Sequence, residues 1–383
     1  MTMHFSFQTV SDIRCASYAS QQLGTVLQQK FAPAEVLIVT DSMLVKLGKL
    51  APILASLDEL GIGYRIFDGV KADPPESVIL QASEQALQAD VIIGVGGGSS
   101  MDTAKLVAVL ATQQQALSEM YGVDNIRCKR KPLVQIPTTA GTGSEVTPIA
   151  VVTTGESTKS GVVSATLYAD LVMLDAALLL GMPANITAET GIDAMVHAIE
   201  AYTSKIKKNP LSDNLARQAL LLLSQALPLA YQDGDNIKYR EETLLGAMLA
   251  GQAFANAPVA GVHALAYPLG GTYHLAHGLS NALMLPHVMR FNLSAAQKEY
   301  AELACLLMTD LPANQALQAE SLLEYVQTLA AQLNLNKRLR DVGVTHDDLP
   351  RLASEAMLQT RLLQNNPRPI AYADALTLYQ QAW

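Results

Sequence analysis

The sequence predicts an α/β N-terminal dinucleotide-binding domain, Rossmann-like with a mainly parallel sheet, followed by an all-α C-terminal domain. Three observations predict this. Short apolar, β-branched runs alternate with helix-like stretches through the first half of the chain. One of those runs opens into a cluster of glycines just ahead of a helix. From about Thr187 onward the texture changes to long Ala- and Leu-rich segments with few β-branched runs. At 383 residues, 50% of them hydrophobic, the chain is long enough for two cores of ordinary size.

The strand runs are "EVLIVT" from Glu35, "YRIFDGV" from Tyr64, "DVIIGVGGGSS" from Asp90 and "LVQIPTTAGTGSE" from Leu133. Nearly continuous apolar runs of this length suit parallel strands covered on both faces. The later runs "PIAVVTT" and "LVMLDAAL" either extend this sheet or form a hairpin beside it. Pro183 and Asn185 punctuate the change of texture, so the domains are drawn as 1–183 and 184–383.

Composition excludes some functions. A net charge of -9 without a Lys/Arg-rich run denies nucleic acid its electrostatic footprint. The start "MTMHFSFQTVSDIR" lacks a basic segment followed by an apolar one, and runs such as "LARQALLLLSQALPLA" are interrupted by polar residues, so a soluble cytoplasmic protein without a membrane partner is expected. Cys15, Cys128 and Cys305 are odd in number and far apart, which fits neither a disulfide framework nor a CxxC metal knuckle. Any metal must then be held by His and carboxylate.

In "VIIGVGGGSSMDTAK" a strand runs into Gly94, Gly96, Gly97 and Gly98, with Ser99 and Ser100 as expected N-caps and Asp102 in the first helical turn. Such a turn lets backbone N–H groups approach a pyrophosphate, and the helix dipole favours its charge. The G-x-G-x-x-G pattern fails at its last position, where Ser99 stands, and Lys105 is not spaced as in a Walker P-loop. A merely structural tight turn is the competing reading. Asp41, at the end of the first strand, could accept from a ribose 2′-hydroxyl and repel a 2′-phosphate, favouring NAD over NADP; it could equally cap the next helix. "PTTAGTGSE" adds a hydroxyl-lined loop through Thr138, Thr139, Thr142 and Ser144.

Seven histidines are present, and three of them, His263, His274 and His277, fall within fifteen residues. Asp193 and His197 lie four apart in a helical segment for which Thr187 is the expected N-cap, a spacing that puts both on one face. His263 and Tyr267 repeat the spacing on a later helix, which Pro268 and the Gly270-Gly271 pair are expected to end. One Asp and three His make a set suited to Fe(II) or Zn(II), and an ion with an open position acts as a Lewis acid on a substrate oxygen.

"GGGSSMDTAK", "IPTTAGTGSE", "TGIDAMVHAIEAYTS" and "VHALAYPLGGTYHLAHGLSNALMLPHVM" together resemble the iron-containing (group III) alcohol dehydrogenases, and the resemblance, which includes "NPLSDNLARQAL" and "KRLRDVGV", runs over nearly the whole chain. It implies the dehydroquinate synthase-like two-domain architecture and a homodimer. It also implies metal ligands at Asp193, His197, His263 and His277, a pyrophosphate loop at Gly97, Gly98 and Ser99 with Asp102, a second cofactor loop at Thr138, Thr139 and Thr142, and Lys159 near the cofactor. Asp41 stands where NAD-preferring members are acidic.

Two departures stand out. The family's Pro-Asn-Pro turn is replaced by "KADPP", so Asp73 is not carried over as a contact. The family's second histidine, four residues after the third ligand and close to the nicotinamide, is here Tyr267. As the candidate catalytic residue, Tyr267 either supplies a hydroxyl link for the proton or fills the pocket wall; a tyrosine's ordinary pKa of about 10 makes it a poor free base at neutral pH. His274 reads as a surface or structural residue, His287 as one that caps or packs, and His4 and His346 lack supporting context.

The activity implied is reversible hydride transfer between a small primary alcohol and NAD, with Fe(II) or Zn(II). The rivals are a glycerol dehydrogenase-like or other polar-substrate relative, and a non-catalytic nucleotide-binding sensor. The Ala, Leu, Met and Gly around the four ligands favour a small, mostly apolar substrate.

Overall fold

The computed structural model describes residues 4–155 and 158–383 and divides into two compact units, one being Gln8–Leu180 and the other Gly181–Trp383 together with residues 4–7. The strands are β1 (Ile13–Cys15), β2 (Glu35–Val39), β3 (Gly63–Phe67), β4 (Val91–Gly96), β5 (Gly122–Val123), β6 (Leu133–Pro137), β7 (Ile149–Thr154), β8 (Thr158–Val163) and β9 (Leu171–Leu174). Helices of the first unit are α1 (Leu23–Lys30), α2 (Ser42–Lys46), α3 (Ala51–Glu59), α4 (Glu76–Gln85) and α5 (Gly98–Leu110).

Six strands form one sheet in the order β1-β9-β6-β4-β2-β3, and every pairing in it is parallel. β4 and β6 at its centre are buried along their whole length, as strands covered on both faces must be. The two runs left open by the sequence separate. "LVML" becomes β9, inside the main sheet between β1 and β6. "IAVVTT" becomes β7, which pairs antiparallel with β8 in a second sheet of order β5-β8-β7.

After Leu180 the described chain holds helices and no strand: α6 (Ala184–Thr203), α7 (Pro210–Gln232), α8 (Ile237–Asn256), α9 (Gly261–Tyr273), α10 (His277–Asn292), α11 (Gln297–Leu307), α12 (Gln315–Gln332), α13 (Leu349–Ala356), α14 (Thr360–Leu363) and α15 (Tyr372–Ala382). α6 is buried almost all round beyond Thr187 and packs on α7, α8 and α10. α7 begins at a capping box: Asn209 accepts from Ser212 N, Ser212 Oγ accepts from Asn209 N, and Pro210 takes the first helical position. Among the described residues no single helix is long and apolar enough to cross a membrane.

Three local expectations are corrected. Ser99 and Ser100 are not N-caps, because α5 starts at Gly98 with Gly97 before it, so both serines lie inside the first turn. Thr187 is not the N-cap of α6, which starts three residues earlier; its hydroxyl donates to Pro183 O and accepts from the buried Arg240 guanidinium. Pro268 and the glycine pair do not end α9. That helix runs through them to Tyr273 and stops at His274, which takes the left-handed conformation with φ 54°. Proline costs a helix one N–H bond and some crowding, and the surrounding buried turns of α9 outweigh that cost.

Candidate metal centre and cofactor loops

Three adjacent parallel strands, β2, β4 and β6, end side by side in the first unit, and the candidate nucleotide-loop residues follow those ends. Gly96 of β4 is in register with Pro137 of β6, and Thr138 N donates to Gly96 O across the gap. The loop carrying Thr138, Thr139 and Thr142 therefore rises beside the turn of Gly97, Gly98 and Ser99. At Gly98 an added Cβ would lie 3.0 Å from Thr142 Cγ2, so the two loops touch only because no side chain stands between them. Gly96 has φ 151°, and a Cβ there would meet Ser100 Oγ at 2.5 Å. A helix N-terminus at the carboxyl end of a central parallel strand is where this fold class binds phosphates.

Asp41 follows β2, next in the sheet. Its Oδ1 accepts from Met43 N and Leu44 N, so the side chain caps α2; its Oδ2 makes no hydrogen bond among the described residues. Asp102 is committed internally. Oδ1 accepts from Ser144 Oγ at 2.5 Å and pairs with Lys105 Nζ at 3.4 Å, while Oδ2 accepts from Val151 N at 2.9 Å. It thereby fastens α5 to the threonine loop and to β7. Lys159, on β8, pairs with Asp73 Oδ1 at 2.6 Å, and Asp73 holds a left-handed φ of 51°.

Sequence reading passed over Lys105 and Glu145 as functional positions. Lys105 has no exposed surface and donates to Ser144 Oγ, Thr147 Oγ1 and Ile149 O; burial lowers its pKa, opposed by Asp102 and Glu145. Glu145, 2% exposed, is pushed up to about 7 by burial, against the pull of a backbone hydrogen bond and of Lys105.

In the second unit, Asp193 and His197 stand one turn apart on α6, His263 sits in the first turn of α9, and His277 is the first residue of α10. The four present donor atoms that all lie within 4.8 Å of one another. Close helix approach makes this possible: a Cβ at Gly278 would lie 1.9 Å from the backbone oxygen of Glu189, so only glycine lets the start of α10 reach α6. His197 stacks on Phe254 of α8 at 4.3 Å and on His263 at 4.7 Å. Asp193, His197 and His263 are 2–4% exposed, whereas the side chain of His277 is 35% exposed, so the cluster opens on the His277 side.

The distances suit a single ion. Asp193 Oδ1 lies 3.9, 3.7 and 3.6 Å from Nε2 of His197, His263 and His277. Donors about 2.1 Å from a tetrahedral ion stand about 3.4 Å apart, so a small contraction would complete the shell. Asn281, fully buried on α10, donates to Asp193 Oδ1 at 2.6 Å and lies 3.3 and 3.2 Å from Nε2 of His263 and His277. Burial would raise the Asp193 pKa, but the charges of His197 and His277 and the hydrogen bond with His263 hold its carboxyl well below the usual range. Burial would lower His263, yet hydrogen bonds with Asp193 and Glu200 carry it up to about 9. Without an ion the cluster is thus a carboxylate held by the positive charge of the imidazoles around it, charge that a bound cation would supply in place of their protons.

The remaining histidines lie outside this cluster. His274 is an exposed helix terminus, burial lowers the pKa of His287, and His346 packs edge-on against Trp383 at 5.1 Å. Tyr267 sits one turn after His263, its ring 5.9 Å from that of His277.

Fold and cluster together define a class of protein with a parallel nucleotide-type sheet in one unit and a candidate metal cluster in a helical unit. The family model for iron-containing alcohol dehydrogenases matches residues 11–176, and that for the C-terminal part of the Fe-containing alcohol dehydrogenase family matches 187–383. The chain belongs to the iron-containing alcohol dehydrogenase family. It is 38% identical over 369 residues to long-chain-alcohol dehydrogenase 1 of Geobacillus thermodenitrificans, covering 93% of this chain and 91% of that protein. To the NAD-dependent methanol dehydrogenase of Bacillus methanolicus it is 32% identical, over 95% of this chain and 96% of the other. A solved structure of 1,3-propanediol oxidoreductase superposes with a TM-score of 0.95 at 34% identity, covering all of both chains. The chain is an oxidoreductase of alcohols and aldehydes.

Proposed function

We propose that the protein catalyses reversible NAD-linked oxidation of a small primary alcohol to its aldehyde, with a divalent ion, Fe(II) or Zn(II), held by Asp193, His197, His263 and His277. The observation that carries this reading is the convergence of those four donors from three helices to within 4.8 Å. When bound, the ion supplies Lewis acidity toward a substrate oxygen, and the nicotinamide accepts the hydride.

The chain's own residues set the rest. The N–H groups of the turn at Gly97, Gly98 and Ser99, with the dipole of α5, hold a pyrophosphate, and Asp102 positions that turn through Ser144 and Val151. Thr138, Thr139 and Thr142 offer hydroxyls to the cofactor's polar edge. Asp41, whose Oδ1 caps α2, directs its other oxygen to a ribose hydroxyl, favouring NAD over NADP. Lys159 lends positive charge near the cofactor while paired with Asp73. Tyr267 links substrate hydroxyl and water, relaying the proton that leaves the alcohol. Phe254 and the alanines of α6 and α9 favour a small, mostly apolar substrate. A cytoplasmic homodimer is the working form we expect.

The test is direct. Protein purified without air is analysed for metal, then incubated with NAD and a panel of alcohols while NADH absorbance is followed. We expect about one ion per chain and turnover of small primary alcohols. Metal-loaded protein that turns over no alcohol or aldehyde would favour the nucleotide-binding sensor.

A further inference from the structure

Glu200 is a carboxylate that the mechanism above leaves without a task. It is 4% exposed and lies on α6 at seven residues from Asp193 and three from His197, on the face that carries both. An ionised side chain is not buried without partners that hold it. Its partners are the start of another helix. Oε2 accepts from Ala260 N at 2.9 Å and Oε1 from Val262 N at 2.6 Å, which satisfies two donors that the first turn of α9 leaves open. Oε2 also lies 2.7 Å from Nδ1 of His263.

Hydrogen-bond accounting then fixes the imidazole. Both oxygens of Glu200 already accept a backbone N–H, so the carboxylate faces Nδ1 as an acceptor and Nδ1 carries the hydrogen. In the neutral ring that binds an ion the lone pair is then on Nε2, the nitrogen that faces Asp193 at 3.7 Å. One side chain therefore sets the tautomer of His263, the tilt of its ring and the place of the helix that bears it.

We propose that Glu200 is the positioning residue of the metal centre, holding His263 as an Nε2 donor and cancelling the positive charge that a divalent ion keeps after binding one carboxylate. The inference rests on the metal reading of the four-donor cluster. Outer carboxylates of this kind raise the donor strength of an imidazole, and their loss costs about 10- to 100-fold in metal affinity. A glutamine cannot replace it. Whichever way the amide turns, its NH2 meets either Val262 N–H or the pair formed by Ala260 N–H and His263 Nδ1.

Helix capping alone must be separated from this role. Asn366 provides the control, since its Oδ1 accepts from Gly261 N at 3.3 Å, in the same turn of α9. The full chain is stripped with a chelator and reloaded with Co2+ alone. Affinity is read by chelator competition, and ligand geometry by the d–d absorption of the bound Co2+. Wild type should bind about one Co2+ per chain, Glu200→Gln should bind it about 10- to 100-fold more weakly with an altered d–d band, and Asn366→Ala should stay within about threefold of wild type. Glu200→Asp keeps the charge but draws the carboxylate back by about 1.5 Å. It too should lose about tenfold, which decides the matter if the glutamine variant fails to fold. Glutamine or aspartate variants that bind Co2+ as tightly as wild type, or that lose no more than Asn366→Ala, overturn the role of Glu200 and leave the metal reading standing. A wild-type chain that binds no Co2+ overturns the metal reading and this inference with it.

Discussion

Four residues after His263 stands Tyr267, with its ring 5.9 Å from that of the half-open His277. A hydroxyl there can pass a proton but is a weak base, so its removal should affect rate through proton transfer and leave the ligands in place. Tyr267→Phe is expected to slow the proton-dependent step by about 100-fold, the low end of general acid–base effects, while metal content stays at the wild-type level. Turnover equal to wild type across the pH range would leave Tyr267 as pocket wall only. Asp193 and His197 were visible in the sequence through their shared helical period and His263, His274 and His277 through their clustering, but the choice of His277 over His274 came from the family resemblance. Glu200 continues the same period as Asp193 and His197, yet a glutamate on a helix is usually solvated. Only the arrival of α9 over it reveals a buried acceptor. Asn281 was equally hidden, since its meaning comes from Asp193, eighty-eight residues away.

Elements were legible by type and less so by boundary. Apolar runs identified β2, β3, β4 and β6, but whether "PIAVVTT" or "LVMLDAAL" joined the main sheet depended on pairing partners far along the chain. Pro268 failed as a stop signal for α9 because burial on neighbouring helices outweighs one lost hydrogen bond. The burial of Glu145 just after the threonine loop was likewise invisible, and it carries a pH prediction. The Glu145 carboxyl, pushed by burial from an ordinary 4.5 up to about 7, binds its proton more tightly in the folded than in the unfolded chain. Its contribution to stability is therefore full below about pH 4.5 and is lost as pH rises through about 7, on the order of 3 kcal/mol in all. Glu145→Gln should flatten the fall in denaturant-unfolding stability of the wild type between pH 5 and 8. An identical slope in the two proteins would show that Glu145 does not titrate there.

For the whole molecule, the two kinds of site draw on different units of the chain. All four candidate metal donors come from Gly181–Trp383, whereas the proposed cofactor residues, Asp41, the glycine turn, the threonine loop and Lys159, all come from Gln8–Leu180. Each unit has its own core, so removing the ion withdraws binding energy from one unit and leaves the hydrogen-bonded loops of the other as they were. At a metal concentration 100-fold above Kd that energy is about 2.7 kcal/mol, enough to lower the melting temperature of the helical unit by several degrees. Chelation should accordingly abolish turnover and lower that transition, while NADH, followed by its fluorescence, still binds with an affinity within about twofold of the metal-loaded protein. A parallel collapse of NADH binding on chelation would mean that the dinucleotide loops depend on the metal cluster for their shape, and that the division of labour between the two units is wrong.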